Sequence, residues 1–316
     1  MMTGKRSRGF ALPLNPRMLL EAIGLVDEQS TSRCQIEVFT DTSITPEFLA
    51  YAKEAFNPQT ETLTVTATPY FDDIPSINER ANLLVVLADD APATGRVLIQ
   101  ALKKQVPAVV LTLDPVRLQQ IARDHYNEID APSIVTVKEG LSEQKRFARL
   151  FASLGDWIVR ELPDDQLTLA RAYEFVRRPF VSNAIQATAL QNAAIAAVFF
   201  LPGADMPLLT LNQAKLFLKI AAAYGAAIDS QRFGELGALL LGGFGFRALA
   251  RRLVTGVVPV LGWAIRGGVG YTGTVAVGKI AQEYFEKGGD LKLIAERFKP
   301  KGEAEAEAGT GAEAAV

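Results

Sequence analysis

Paired carboxylates and one imidazole are the side chains whose types and spacing point to acid–base or metal chemistry in this sequence. Asp72-Asp73 and Asp89-Asp90 each follow a strand-like run, where an α/β fold opens its ligand crevice and carboxylate oxygens can hold Mg²⁺. Adjacent acids are also the ordinary content of solvated turns. His125, within Arg123-Asp124-His125-Tyr126-Asn127, is the one histidine. That rules out a histidine metal cluster, and a positive charge at a helix C-terminus accounts for the residue. Cys34 is the one cysteine, so disulfide frameworks and multi-cysteine metal sites are excluded and a reducing compartment fits. Its expected role is that of a small buried hydrophobe. Asp205, a carboxylate in an apolar turn, is expected to cap a helix or to pair with a Lys or Arg. No residues are assigned as catalytic or metal-binding, no cofactor is expected, and the chain is expected not to be an enzyme.

Phosphate chemistry would need a glycine-rich loop ending in Lys-Ser/Thr directly after the first strand. The strands that would position it are expected at Ile36–Thr40, Leu63–Ala67, Leu83–Ala88, Val106–Leu113 and Ile134–Val137. Helices are expected between them at Pro46–Phe56, Ala93–Lys104, Pro115–Tyr126 and Ser142–Val159. Such alternation implies a parallel sheet with helices on its faces. Leu83–Ala88 and Ala108–Leu113 are continuously apolar, as central strands are. The first strand is followed by Asp41-Thr42-Ser43-Ile44-Thr45-Pro46, with neither glycine nor lysine, and Asp41 would repel a phosphate. Thr68-Pro69-Tyr70-Phe71-Asp72-Asp73 stands where a Ras-like GTPase carries Asp-Thr-Pro-Gly, and Val110-Leu111-Thr112-Leu113-Asp114 where it carries Asn-Lys-x-Asp. The order of signals resembles a Ras-like GTPase domain stripped of its nucleotide chemistry. Asp41, Thr68, Asp72 and Asp114 then occupy the vestigial nucleotide-site positions. A flavodoxin-like sheet without that history is the other form the pattern allows.

Downstream, Leu162–Asp165 is expected to be a solvated linker, followed by a helix from Gln166 to Arg178 that Pro179 limits. Pro202-Gly203-Ala204-Asp205-Met206-Pro207 then separates the apolar run Ala184–Leu201 from a helix reaching Gly225, so the chain must turn there. Thr210 and Gln213 have the spacing of a capping box. Leu211, Ala214, Leu218, Ala221 and Ala222 face one way, and Asn212, Lys215 and Lys219 another. A membrane span needs about 20 apolar residues, and none of the four greasy stretches is a clean one. Gln186, Gln191 and Asn192 interrupt the first, and Lys215 and Lys219 the second. Gly234–Phe246 and Leu253–Ile265 are short, with Arg247, Arg251 and Arg252 between them and Arg266 after. Gly270, Thr274 and Gly278 put small residues on one ridge, suited to close helix packing.

Pro202-Gly203-Ala204-Asp205, Gln213, Tyr224-Gly225, Val258-Pro259-Val260-Leu261-Gly262 and Gly278 before Tyr284-Phe285 resemble the bacterial family catalogued as domain of unknown function 697. The resemblance runs from Ala184 to Phe285. It implies a helical, membrane-associated module often fused or linked to Ras-like GTPases, and it implies no reaction.

A chain of 316 residues exceeds what one core ordinarily holds. The fold expected is α/β then all-α. Residues 1–32 form a basic arm and short helix, 33–160 a degenerate GTPase-like parallel-sheet domain, 164–298 a glycine-rich helical module, and 299–316 a disordered acidic tail. Pro13, Asn15 and Pro16 interrupt anything like a secretory signal. The net charge of −2 hides a partition: Met206–Gln282 holds eight Lys and Arg against two acids, hence +6. A basic, apolar segment suits the anionic cytoplasmic leaflet.

The function expected is that of a membrane-associated scaffold on the inner face of the cell membrane. Its contacts would be made through Pro202, Gly203, Asp205, Lys215, Lys219, Arg247, Arg251, Arg252 and Arg266. Expected partners are anionic lipid, a GTPase or other protein, and a second copy of the chain. Nucleic acid is not expected, because the basic residues are interleaved with apolar ones. Two alternatives stand beside it. One is a nucleotide- or metal-binding enzyme or sensor at the strand ends near Asp41, Thr68, Asp89 and Asp114. The other is a helical module that inserts as a pore.

Overall fold

The computed structural model describes residues 16–71, 73–124, 128–137, 140, 142–198, 206–227 and 262–288. Outside them lie several features read from the sequence: the basic arm, Asp72, His125, and the turn with Pro202, Gly203 and Asp205. Arg247, Arg251 and Arg252, the stretch 234–246, most of 253–265, the last short helix and the acidic tail also lie outside.

Five strands, β1 (Cys34–Asp41), β2 (Leu63–Tyr70), β3 (Leu83–Leu87), β4 (Ala108–Leu111) and β5 (Ile134–Val135), make one sheet ordered β2-β1-β3-β4-β5. Every pairing is parallel, and the order is the flavodoxin-like one. All five residues of β3 are buried because helices cover both faces. On one face Phe39, Leu84, Val86 and Val110 join Val97 and Ala101 of α3 (Thr94–Lys103) and Leu118 and Ala122 of α4 (Pro115–Asp124) in a single cluster. On the other, Phe48 of α2 (Pro46–Ala55) stacks on Phe147 of α5 (Glu143–Glu161) at 5.2 Å. Tyr51 tilts against Phe151, and Phe56, Phe151 and Phe175 extend that contact edge to face. Each such burial contributes roughly 1.5–3 kcal/mol.

All five strands differ from the expected limits by one to three residues at an end, and two of the differences bear on the strand ends. β2 runs past Ala67 to Tyr70, which pairs with Asp41, so Thr68 lies inside a strand and not in a loop at the strand ends. Pro69 does not stop it, because an edge strand has one side on which no donor is required. β4 is shorter than its apolar run: Val106 closes the turn after α3 instead, bonding through its N–H to Ala101.

The chain divides into two compact units. One comprises residues 20–184 with 222–228, and the other residues 1–19, 185–221 and 229–316. The first holds the sheet, most of α1 (Pro16–Thr31), α6 (Gln166–Ala172) and the start of α7 (Glu174–Val198). Asp165 is not a solvated turn residue. Its two carboxylate oxygens each accept from the Asn82 side-chain amide at 3.2 Å, while the Asn82 carbonyl accepts the Gln35 N–H at 2.9 Å. Burial raises the Asp165 carboxyl above the ordinary value, the Asn82 bond opposes this, and Asp164 adds to it.

Nor does Pro179 end a helix. The break falls at Tyr173, which is extended (φ −127, ψ 130), and Pro179 sits inside α7. A proline there leaves the carbonyl of Phe175 without its helical donor. Gly155 of α5 lies against that same carbonyl, so close that a Cβ would stand 2.0 Å from the oxygen.

In the second unit α8 (Met206–Ala223) starts earlier than expected, with Pro207 as its second residue, where no N–H is needed. Thr210 and Gln213 are therefore buried in the helix interior and form no capping box. Leu211, Ala214, Leu218, Ala221 and Ala222 are buried as expected, and so are Leu216, Phe217 and Ile220. On α9 (Gly262–Glu286) the small-residue ridge meets α7: a Cβ on Gly270 would lie 2.9 Å from the Asn192 carbonyl, and one on Gly278 2.6 Å from Ile185. Among the described residues no helix is long and apolar enough to cross a membrane.

Candidate functional site

In a sheet of this order the ligand crevice opens at the carboxyl ends of β1 and β3, where the connections turn to opposite sides. Asp41 ends β1 and is buried, at 4 % exposure. Its Oδ2 accepts the Ser43 N–H at 3.1 Å, a local turn that Asp favours, and it accepts the Ser43 hydroxyl as well. The Ser43 oxygen in turn accepts the N–H groups of both Asp89 and Asp90, each at 3.3 Å. Those two amides at the end of β3 are thereby engaged within the chain. Two further donors of the β1–α2 turn are engaged: the Ile44 N–H with the Asp41 carbonyl, and the Phe48 N–H with the Thr45 side chain that caps α2.

Asp89 ties the end of β3 to the turn after β4. Its Oδ1 accepts from the Thr112 hydroxyl at 2.9 Å, the Leu113 N–H at 2.7 Å and the Asp114 N–H at 3.2 Å. Asp114 itself caps α4, accepting the Arg117 N–H at 2.9 Å. Arg117 reaches back to the carboxylate of Asp90, and Arg146 of α5 donates to the Leu113 carbonyl at 3.1 Å. Asp41, Asp89, Asp90 and Asp114 thus bring four carboxylates to the strand ends against these two cations.

Asp41 Oδ1 and Arg146 Nε are buried without a hydrogen-bond partner. The Ser43 hydroxyl thus gives its proton to the Asp41 carboxylate while its oxygen takes two amides. Among the described residues no group of three or more His, Cys, Asp or Glu is arranged to hold a metal ion.

The helical unit carries a second polar cluster. Asn192 of α7 is fully buried; its amide donates to Thr274 of α9 at 2.8 Å, and its carbonyl accepts from Asn212 of α8 at 2.9 Å. Gln213 donates to Thr274 at 3.5 Å, and Thr274 donates to the Gly270 carbonyl at 2.8 Å. Three helices are locked in register by side chains that can only be satisfied together. Lys215 and Lys219 sit one turn apart on α8, half-buried. Burial lowers Lys219 below the ordinary lysine value, and Lys215 lowers it further. Outward from this cluster α7 presents Ala187, Leu190, Ala194 and Val198, all exposed, with Leu190 at 63 % and Val198 at 67 %. α9 presents Gly268, Thr272 and Ala276. The α7 stripe contains no charge, and the α9 stripe is followed by the exposed Lys279.

Of the residues singled out in the sequence, Asp41 and Asp114 meet in the strand-end cluster through Ser43, Asp89 and Asp90. Thr68 lies within β2, two residues from that end. Arg266 lies on α9, and Lys215 and Lys219 on α8. Sequence reasoning missed the roles of Ser43, Thr112, Arg117 and Arg146. Only Ser43 was legible, as the second residue after an Asp in a turn. Comparison with models of protein families, with curated proteins and with solved structures gave no match.

Proposed function

We propose that this chain is a non-enzymatic scaffold: a GTPase-like α/β domain that no longer holds nucleotide, joined to helices that rest on anionic lipid at the cytoplasmic face of a membrane. The observation that supports it is the turn after β1, which has neither the glycines nor the lysine of a phosphate cradle and whose Ser43 oxygen takes the Asp89 and Asp90 amides. Four carboxylates around it add a repulsive field, and in a partly buried crevice that repulsion is screened little.

On the helical side, support comes from the uncharged stripe of α7 and from a lysine pair held near it in sequence. Basic residues at an anionic surface contribute about 1 kcal/mol each, and Leu190 and Val198 on α7 supply the apolar contact that charge alone does not. Freed of phosphate chemistry, the α/β surface serves to bind another protein.

Titration calorimetry of the full chain with GTP and GDP in the presence of Mg²⁺ tests the first half. The expected result is no binding heat. Micromolar binding that Asp114→Ala abolishes would restore the enzyme or sensor alternative and overturn the proposal.

A further inference from the structure

Among the described residues β2 is an edge strand, bonded to β1 on one side only. The phase of its backbone follows from one bond: the Cys34 N–H donates to the Thr62 carbonyl, with Cys34 opposite Leu63. In a parallel pair alternate residues point to alternate sides, so Thr64, Thr66, Thr68 and Tyr70 bond inward to β1. Leu63, Val65, Ala67 and Pro69 therefore turn their N–H and C=O groups outward. Pro69 falls on the one side where its missing N–H costs the sheet nothing.

Thr64, Thr66, Ala67 and Pro69 are exposed, and Val65 and Thr68 half-buried. None of the eight residues is charged, although edge strands are ordinarily protected from pairing by charges, above all lysine. Val65 and Ala67 also line a groove between the sheet and α2, together with Val38, Leu49, Ala52 and Phe56.

We propose that the outer edge of β2 pairs antiparallel with β2 of a second copy of this chain, joining two sheets across a two-fold axis at Thr66. The partner is identified by self-complementarity. With Thr66 on the axis, Val65 and Ala67 of opposite copies exchange both of their backbone bonds, twice by symmetry. The Leu63 N–H meets the Pro69 carbonyl, the one group Pro69 still offers. On one face Val65 and Ala67 continue the apolar row along the α2 groove. On the other, Thr64, Thr66 and Thr68 oppose threonines, and such cross-strand threonine pairs are favourable. No like charges meet. The pairing is independent of lipid contact, so its failure would leave the proposed function standing, and the reverse.

Thr66→Cys in the full chain tests it, because an on-axis, non-hydrogen-bonded antiparallel pair brings Cβ atoms close to disulfide geometry. Cys34 is buried and supplies no background. Mild oxidation is expected to give a disulfide-linked dimer on a non-reducing gel. Adding Ala67→Pro is expected to abolish it without lowering the melting temperature, since the Ala67 N–H bonds nothing in β1. By sedimentation equilibrium, Thr66→Lys is expected to weaken the wild-type dimer about tenfold or more. This second measurement decides the matter should Thr66→Cys fold poorly. Absence of the cross-link in a folded Thr66→Cys chain, as when β2 takes a strand of some other protein, would overturn the proposal. So would a cross-linked dimer indifferent to Ala67→Pro, or wild-type association indifferent to Thr66→Lys.

Discussion

Lys219 sits where a lysine is costly. The other side chains along α8 around it are largely buried, and desolvation together with Lys215 holds it below the ordinary lysine range. A base whose folded value is depressed favours folding only above its unfolded value, and that contribution is lost as pH falls through the folded value. Near neutrality Lys219 is therefore charged in both states and disfavours folding. Lys219→Met is expected to raise stability at pH 7 by about 0.5–1 kcal/mol. The gain should shrink as pH rises toward the lysine range; denaturant midpoints at pH 7 and pH 10 would measure both. A destabilised variant at pH 7 would show that Lys219 is instead held by a favourable contact. Lipid contact is the use proposed for this side chain.

Between elements, the contact of α5 with α7 depends on a single absent methyl group. Pro179 frees the Phe175 carbonyl and Gly155 lets α5 approach it, so the two residues are read together across the helix pair. Gly155→Ala places a Cβ 2.0 Å from that oxygen and is expected to cost about 3 kcal/mol by urea denaturation. A loss below 1 kcal/mol would mean that the helices slide apart freely.

This contact also marks the limit of what the sequence discloses. The five strands, their parallel sense and the small-residue ridge of α9 were legible from local signals: apolar runs such as Leu83–Leu87, and the spacing of Gly270, Thr274 and Gly278. Pro179 and Pro207 misled because each is a breaker only when its missing N–H was needed. Pro207 falls in a first helical turn, and the loss at Pro179 is accommodated by a glycine on another helix. Asn192 was legible as an interruption in an apolar run, but its satisfaction by Thr274 and Asn212 is a long-range fact with no local trace. The strand-end cluster was half legible, since Asp41 argued against phosphate while Ser43 as the occupant of the amide pair required the fold.

At the scale of the whole molecule, the division of labour follows charge and burial. The sheet unit closes its own crevice with hydrogen bonds and carboxylates. The helical unit turns its polar groups inward on Asn192 and Thr274 and leaves the uncharged stripe of α7 outside, in the part of the chain where Lys and Arg outnumber acids. A two-fold pairing at β2 would double that surface, and paired weak sites gain affinity by raising effective concentration.

The central claim is that this helical surface meets anionic lipid, and vesicle flotation of the full chain tests it most directly. With phosphatidylserine-containing vesicles at moderate salt the protein is expected to float. It should stay at the bottom with purely zwitterionic vesicles, and Lys215→Gln with Lys219→Gln should reduce the floated fraction. Protein that stays at the bottom of both gradients, monodisperse without detergent, would contradict the claim.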